Sequence, residues 1–238
     1  MKKLLVIVLL AVLGFYTAST FFDIGFGSPH FVKGIDPVKD IYINQTVKSL
    51  NVPNAVTSIV VNFRGFDTLG EVTVLFLAVT VLGSVLYKKR HEVGERSVLF
   101  SASSVVTSGA KLIFPAIILL GAYVFIHGHL SPGGGFQGGV IIATGFLLML
   151  LSYESYSVSH KALSIVESLA GITFAGVGLL GLLHGGSFLH NFLPTGVMNS
   201  LFSGGIIPII YIAVGFKVAA ELTGVIYTVL NEKGEGNE

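Results

Sequence analysis

Apolar residues run together along most of this chain instead of alternating, and polar residues collect in the gaps. A helix needs about 20 apolar residues to cross a bilayer. Six runs approach or reach that length: 4–22, 67–87, 105–127, 136–153, 165–184 and 206–230. The pattern predicts an all-α integral membrane protein with six transmembrane helices. Lys2 and Lys3 precede the first run, and Thr17, Ala18 and Ser19 resemble a leader cleavage site. The run is nevertheless long enough to span, and an uncleaved helix is expected. The first two runs are separated by a polar stretch, 23–66. Its second half, NVPNAVTSIVVNFRGFD, is compatible with a helix lying along the membrane surface. The basic segment KKRHEVGER at 88–96 then divides a two-helix part from a four-helix part.

Charged residues make up 11% of the chain, against about 25% in an ordinary soluble domain, which agrees with a membrane location. Lysine and arginine set the orientation. Lys2, Lys3, Lys88, Lys89, Arg90, Arg96, Lys161 and Lys233 fall on one side, and only Lys33, Lys39 and Lys48 on the other. The richer side is the cytoplasmic one, so both termini are expected there, in a multi-pass protein of the cytoplasmic membrane. The net charge of +1 leaves no basic footprint for nucleic acid. With no cysteine, disulfides, thiolate catalysis and cysteine-held clusters are excluded.

An ionisable group inside a span costs about 2.5–3.5 kcal/mol on insertion scales, so each one needs a reason. Lys217 is the twelfth residue of the 25 in IIPIIYIAVGFKVAAELTGVIYTVL, too deep to reach the interface easily, and Glu221 is one turn further on the same face. The pair is either part of a proton or cation path or an internal ion pair that neutralises itself. Arg64, Asp67 and Glu71 share a helical face by their spacing. Glu71 lies inside the apolar run. Asp67 also suits a helix cap, and Arg64 suits pairing with it at the interface. Lys111, about two turns inside the third run, is a further path candidate or a snorkelling side chain. Glu167 begins the fifth run, where a carboxylate suits the helix dipole. Pro115 and Pro208 are expected to bend their helices. Gly181 and Gly185 form a small-residue packing motif expected to meet another helix, from this chain or a partner.

Between the third and fourth runs the chain reads HGHLSPGGGFQGG, residues 127–139. The pattern GxxxxGK[ST] is absent, so this is not a phosphate loop. Pro132 fixes one dihedral, and Gly133, Gly134 and Gly135 permit a tight turn. The pairs Gly134/Gly138 and Gly135/Gly139, each four apart, would let the fourth helix approach a neighbour closely. His127 and His129 have no carboxylate or third histidine nearby in sequence, although His184 and His190 in the other outer loop could approach in space. No metal site is expected, and half-buried histidines bonded to loop carbonyls are the favoured reading.

The stretch HGHLSPGGGFQGGVIIA resembles the signature of the B subunit of multisubunit Mrp-type cation/proton antiporters, the MnhB family, over about 97–230. VPNAVTSIVVNFRGFDTLGEVTVLFLAVTVLG resembles the C-terminal end of the large antiporter A subunit, a piece also found as a small separate subunit. The resemblance implies three parts: 1–90, a two-helix A-like segment with a long extracytoplasmic loop; 97–231, a four-helix MnhB-like domain; and 232–238, a polar tail. It also raises Glu71, because charged residues there face neighbouring channel subunits in that family. The A-like end is cut from its large body here and fused to the B-like part, an arrangement that suggests a module of an archaeal energy-converting complex, hydrogenase- or sulfane-reductase-like.

The resemblance implies a non-catalytic subunit of such a module. It would pack channel subunits together and line a sodium or proton path. The expected partners are C-like, D-like and A-like membrane subunits, the lipid bilayer and peripheral iron–sulfur redox subunits. No cofactor is expected in this chain. The alternatives are a subunit of a stand-alone antiporter, or a purely structural anchor. A self-sufficient transporter would need an inverted repeat, and none is evident. HExxH and GxSxG are absent, and no nucleophile–base constellation argues for an intramembrane enzyme.

Overall fold

The structure, a computed structural model, describes residues 2–23, 38–90, 102–153 and 155–230. The described residues contain helices and connecting turns, with no strand among them. In chain order the helices are α1 (Lys2–Asp23), α2 (Val38–Leu50), α3 (Ala55–Thr57), α4 (Gly65–Arg90), α5 (Ser104–Ile126), α6 (Gly135–Ser152), α7 (His160–Gly185) and α8 (Ile207–Leu230). A π-helical turn, Ser58–Phe63, continues α3. Of the predicted linker 88–96, residues 88–90 end α4, while 91–96, the polar tail 232–238 and Lys33 lie outside the described residues.

Five helices, α4 to α8, are long and apolar enough to cross a membrane. They form a multi-pass membrane protein. The chain divides into two units, Met1–Ile41 and Tyr42–Glu238. In the first, α1 is helical as its hydropathy predicts, and its described apolar stretch is Val6–Tyr16.

In the second unit α8 is the hub. It packs against α4, α5, α6, α7 and the π turn. Of its spanning window 56% is buried, against 11% in α4. Small residues make this possible. A Cβ added to Gly138 would lie 2.6 Å from the Gly121 carbonyl oxygen of α5. One on Gly139 would lie 2.7 Å from the Gly215 carbonyl oxygen, and one on Gly135 2.8 Å from that of Tyr211, both on α8. The glycine stripe of α6 therefore serves two neighbours, Gly138 facing α5 and Gly135 with Gly139 facing α8. Backbone contact at this range is the means by which helices associate when lipid supplies no hydrophobic drive.

Local signals set the helix ends. The Ser103 hydroxyl accepts from Val106 N–H at the start of α5, and that of Ser159 from Ala162 N–H at the start of α7. Gly186 closes α7 with φ 72°, a conformation that glycine adopts without strain.

Several local expectations need correction. Helix α7 starts at His160, not at 165, because Ser159 is its cap. Glu167 therefore sits two turns in, where a dipole explanation no longer holds. Pro208 falls in the first turn of α8, where its missing N–H leaves no bond unmade, so it gives no reason for a bend. Pro115 does lie inside α5. The segment 52–63 packs one side into the second unit, with Val52, Thr57, Ser58 and Val61 completely enclosed, and leaves Val56 exposed. Lastly, the faces of Gly178, Gly181 and Gly185 on α7 are covered by this chain's own loop rather than by another helix. A Cβ on Gly181 would lie 2.6 Å from the backbone nitrogen of His190, and Gly178 and Gly185 abut the rings of Phe188 and His190.

Candidate functional site

Near the middle of α8 the Lys217 ammonium lies 2.7 Å from Oε1 of Glu221 and 3.9 Å from Oε1 of Glu167 on α7. It also stands 5.0 Å from the centroid of the Phe76 ring on α4. The Glu221 side chain is 0% exposed, that of Lys217 10% and that of Glu167 22%. Gly171 lies one turn beyond Glu167, and a Cβ there would sit 4.0 Å from the Lys217 nitrogen. The missing side chain gives the ammonium room along α7. Glu221 Oε2 has no hydrogen-bond partner.

Beside this triad is a pocket of about 150 Å³ between α4, α7 and α8. Val79, Leu82 and Gly83 form its α4 wall, His160, Ser164 and Glu167 its α7 wall, and Glu221, Gly224 and Thr228 part of its α8 wall. His160, Ser164 and Glu167 are spaced by four and three residues, which places them on one face of α7. The pocket reaches from the triad toward the end where α7 begins and α8 finishes, about 10 Å for seven helical residues. At that end the His160 ring meets Tyr227 edge-on with centroids 5.0 Å apart.

The other predicted path residues do not join the triad. Arg64 and Asp67 pair with each other at 2.5 Å, with side chains 61% and 53% exposed. Glu71 is exposed on α4, and Lys111 on α5 holds its ammonium 5.4 Å from the centroid of the Tyr153 ring. None of the four lines the pocket. The member that sequence reasoning passed over is Glu167. Ser164 and Glu167, three apart ahead of an apolar run, mimic a capping box, which hid the polar face beginning at His160.

The turn 127–134 is a hydrogen-bonding platform. The Gly128 carbonyl accepts from the Thr57 hydroxyl at 2.6 Å and from the Asn54 amide at 2.8 Å. Asn54 also donates to the Ser131 carbonyl at 3.0 Å, and the Tyr211 hydroxyl of α8 donates to Thr57 Oγ1 at 3.0 Å. A Cβ on Gly128 would meet the Tyr211 ring at 2.6 Å, and one on Gly133 the Val124 carbonyl oxygen at 2.8 Å. Gly134 is extended, at φ 166°, while Pro132 is exposed. His129 is completely buried, and burial holds its imidazole below the ordinary histidine value, so it is neutral at pH 7. His127 stacks on Tyr123 with centroids 4.3 Å apart, and His184 stacks on Phe192 at 5.2 Å. Among the described residues no three of His, Asp and Glu are grouped closely enough to hold a metal ion.

Residues 105–224 match the family described as a domain related to the MnhB subunit of Na+/H+ antiporter. The chain belongs to the MnhB family. Residues 31–99, ahead of this MnhB domain, match a second family, MbhE, a subunit of MBH. An uncharacterized protein of Methanocaldococcus jannaschii is 32% identical over 220 residues, covering 82% of each chain. A chain of the membrane-bound sulfane sulfur reductase, an archaeal respiratory membrane complex, is 43% identical. That alignment has a TM-score of 0.77 and covers 98% of this chain and 99% of the other. A chain of the Mrp complex from a Dietzia species shares the fold at 22% identity and a TM-score of 0.66, with all of this chain aligned to 26% of that one.

The two matched regions meet at the glycine turn. Asn54 and Thr57 come from the MbhE-like region, and Gly128, Ser131 and Tyr211 from the MnhB domain. Asn54→Ala should cost about 1–3 kcal/mol, because buried carbonyls lose a donor. Thermal melting of the detergent-solubilised protein, with limited proteolysis of the 38–63 segment, checks this. An unchanged melting temperature and cleavage pattern would mean that the amide is not what holds the segment.

Proposed function

We propose that this chain is a non-catalytic membrane subunit of an Mrp-type cation/proton antiporter module within a larger redox-driven complex of the sulfane-reductase type. The observation that carries the reading is its 43% identity, nearly end to end, with a chain of such a complex. In this reading α1 is a sixth span and both termini are cytoplasmic, in the cytoplasmic membrane, with the pocket opening to the cytoplasm. The chain keeps the three parts 1–90, 97–231 and 232–238. C-like, D-like and A-like membrane subunits surround it. Redox chemistry belongs to peripheral iron–sulfur subunits, and this chain carries no cofactor.

Lys217 and Glu221 are the path residues, because a charged pair in mid-span is costly and marks an ion route more often than a structural contact. Arg64, Asp67, Glu71 and Lys111, which lie apart from the pair, meet neighbouring subunits or headgroups along the same route. His127, His129, Pro132, Gly133, Gly134, Gly135, Gly138 and Gly139 form the packing turn and the helix contact that follows it. The fold shared with the Dietzia Mrp chain favours one second reading, a stand-alone antiporter.

Purification from native membranes in a mild detergent, with mass spectrometry and an iron assay, separates the two. Antiporter-like subunits together with iron–sulfur proteins are expected. Antiporter-like subunits without iron favour the stand-alone reading, and a chain that purifies alone refutes both. In the reconstituted complex Glu221→Gln is expected to abolish coupled transport while the subunits stay together. Normal pumping by that variant removes Glu221 from the path.

A further inference from the structure

We propose that the chamber between α4, α7 and α8 holds one monovalent cation, and that a proton and a sodium ion fill it in exchange. The inference rests on the ion-translocating reading above and adds to it a site, an occupancy and a second carboxylate, Glu167 on α7. Its first support is a charge count. Glu167 and Glu221 carry two negative charges and Lys217 one positive, so the fully ionised triad has a net charge of −1. The α4 wall supplies only Val79, Leu82 and Gly83, none of them ionisable. His160, also in the pocket lining, belongs to the first turn of α7. It lies about 10 Å along the helix from Glu167 and is capped by Tyr227. Among the described residues nothing else charged lines the chamber. A net charge in mid-span is costly, and one further positive charge removes it.

The second support is independent of the count. Glu221 is buried, its Oε2 lacks a hydrogen-bond partner, and the residue lines the chamber. The space of about 150 Å³ exceeds the roughly 30 Å³ that a water occupies in the liquid, so an ion fits with part of its hydration. Glu167, Ser164 and Thr228 offer carboxylate and hydroxyl oxygens to this space, which suit a hard cation, and the enclosed Glu221 adds its negative charge. A divalent ion would leave the site at +1. A proton on either carboxylate satisfies the same balance as sodium, so the arrival of sodium releases a proton.

The test uses the purified complex, or the full chain in whatever assembly leaves the membrane, and dicyclohexylcarbodiimide, which reacts with protonated carboxyl groups in apolar surroundings. Mass spectrometry of the peptides holding Glu167 and Glu221 reads the label. Labelling of one of these residues is expected at mildly acidic pH without sodium. Sodium should protect it, and choline at the same ionic strength should not. Glu167→Gln removes the surplus negative charge, so labelling of Glu221 should fall about tenfold or more, the effect of one neighbouring charge. Labelling that ignores sodium, an absence of labelling at every pH, or full labelling of Glu221 in Glu167→Gln overturns the proposal. If sodium-protected labelling persists in a chain that purifies alone, the site stands and the module reading fails. If partner subunits co-purify and sodium has no effect, the module reading stands and the site fails.

Discussion

Lys217→Met is expected to destabilise the protein by about 3–5 kcal/mol, the cost of removing one partner from a buried ion pair. The cause is what remains. Glu221, enclosed completely, loses the ammonium 2.7 Å away, and Glu167 loses the same charge at 3.9 Å. Two carboxylates then line the pocket with no cation of the protein's own. Melting curves of the detergent-solubilised complex measure the loss. The double variant Lys217→Met with Glu221→Leu should recover much of the loss, because an apolar pair of similar volume can replace a buried ion pair at little cost. If Lys217→Met melts like the parent, the ammonium contributes nothing to holding the carboxylates.

The spans were legible in the sequence because bilayer crossing imposes a length and a composition that no other constraint imitates. The apolar runs behind α5, α6 and α8 predicted their bounds to within a residue or so. The start of α7 was missed because Ser164 and Glu167 carry the residue types of a cap without its position, while the true cap, Ser159, sits in a less hydrophobic context. The enclosure of Val52, Thr57, Ser58 and Val61 could not be read locally. It depends on Thr57 meeting Gly128, 71 residues away, and Tyr211, 154 residues away. Two of the segment's polar residues, Asn54 and Thr57, bond to carbonyls of the glycine turn.

The candidate site was partly legible for a related reason. Lys217 and Glu221 are visible because they lie on one helix, four apart, in a run that otherwise excludes charge. Glu167 is visible only once α7 is placed beside α8, and it changes the chemistry from a self-neutralising pair to a triad with a surplus negative charge. Glu71, by contrast, has the sequence context of a path residue, yet α4 turns it away from the triad and buries Val72 instead. A hydropathy pattern states that a charge lies within a span but not which way it faces, and α4, with its nearly even apolar distribution, gives little indication of its buried face.

Gly139→Ala is expected to cost about 1–3 kcal/mol, and Gly139→Val to prevent stable assembly of the second unit. A Cβ at this position would lie 2.7 Å from the Gly215 carbonyl oxygen and 2.7 Å from Val218 Cβ. Neither can rotate aside, because one is helix backbone and the other is fixed to it, so α6 and α8 would have to separate. Separation would act on every other contact α8 makes, including those of Tyr211 with the turn and of Lys217 with α7. Gly176 provides the control: an added Cβ there meets nothing within 4 Å. Gly176→Ala should be neutral or stabilising by up to about 1 kcal/mol, the helix-propensity difference between the two residues. Fluorescence-detected size exclusion and thermal melting of the two alanine variants make the comparison. Equal stability would mean that α6 and α8 can move apart without loss, and that the glycine stripe is not what fixes the position of the charged helix.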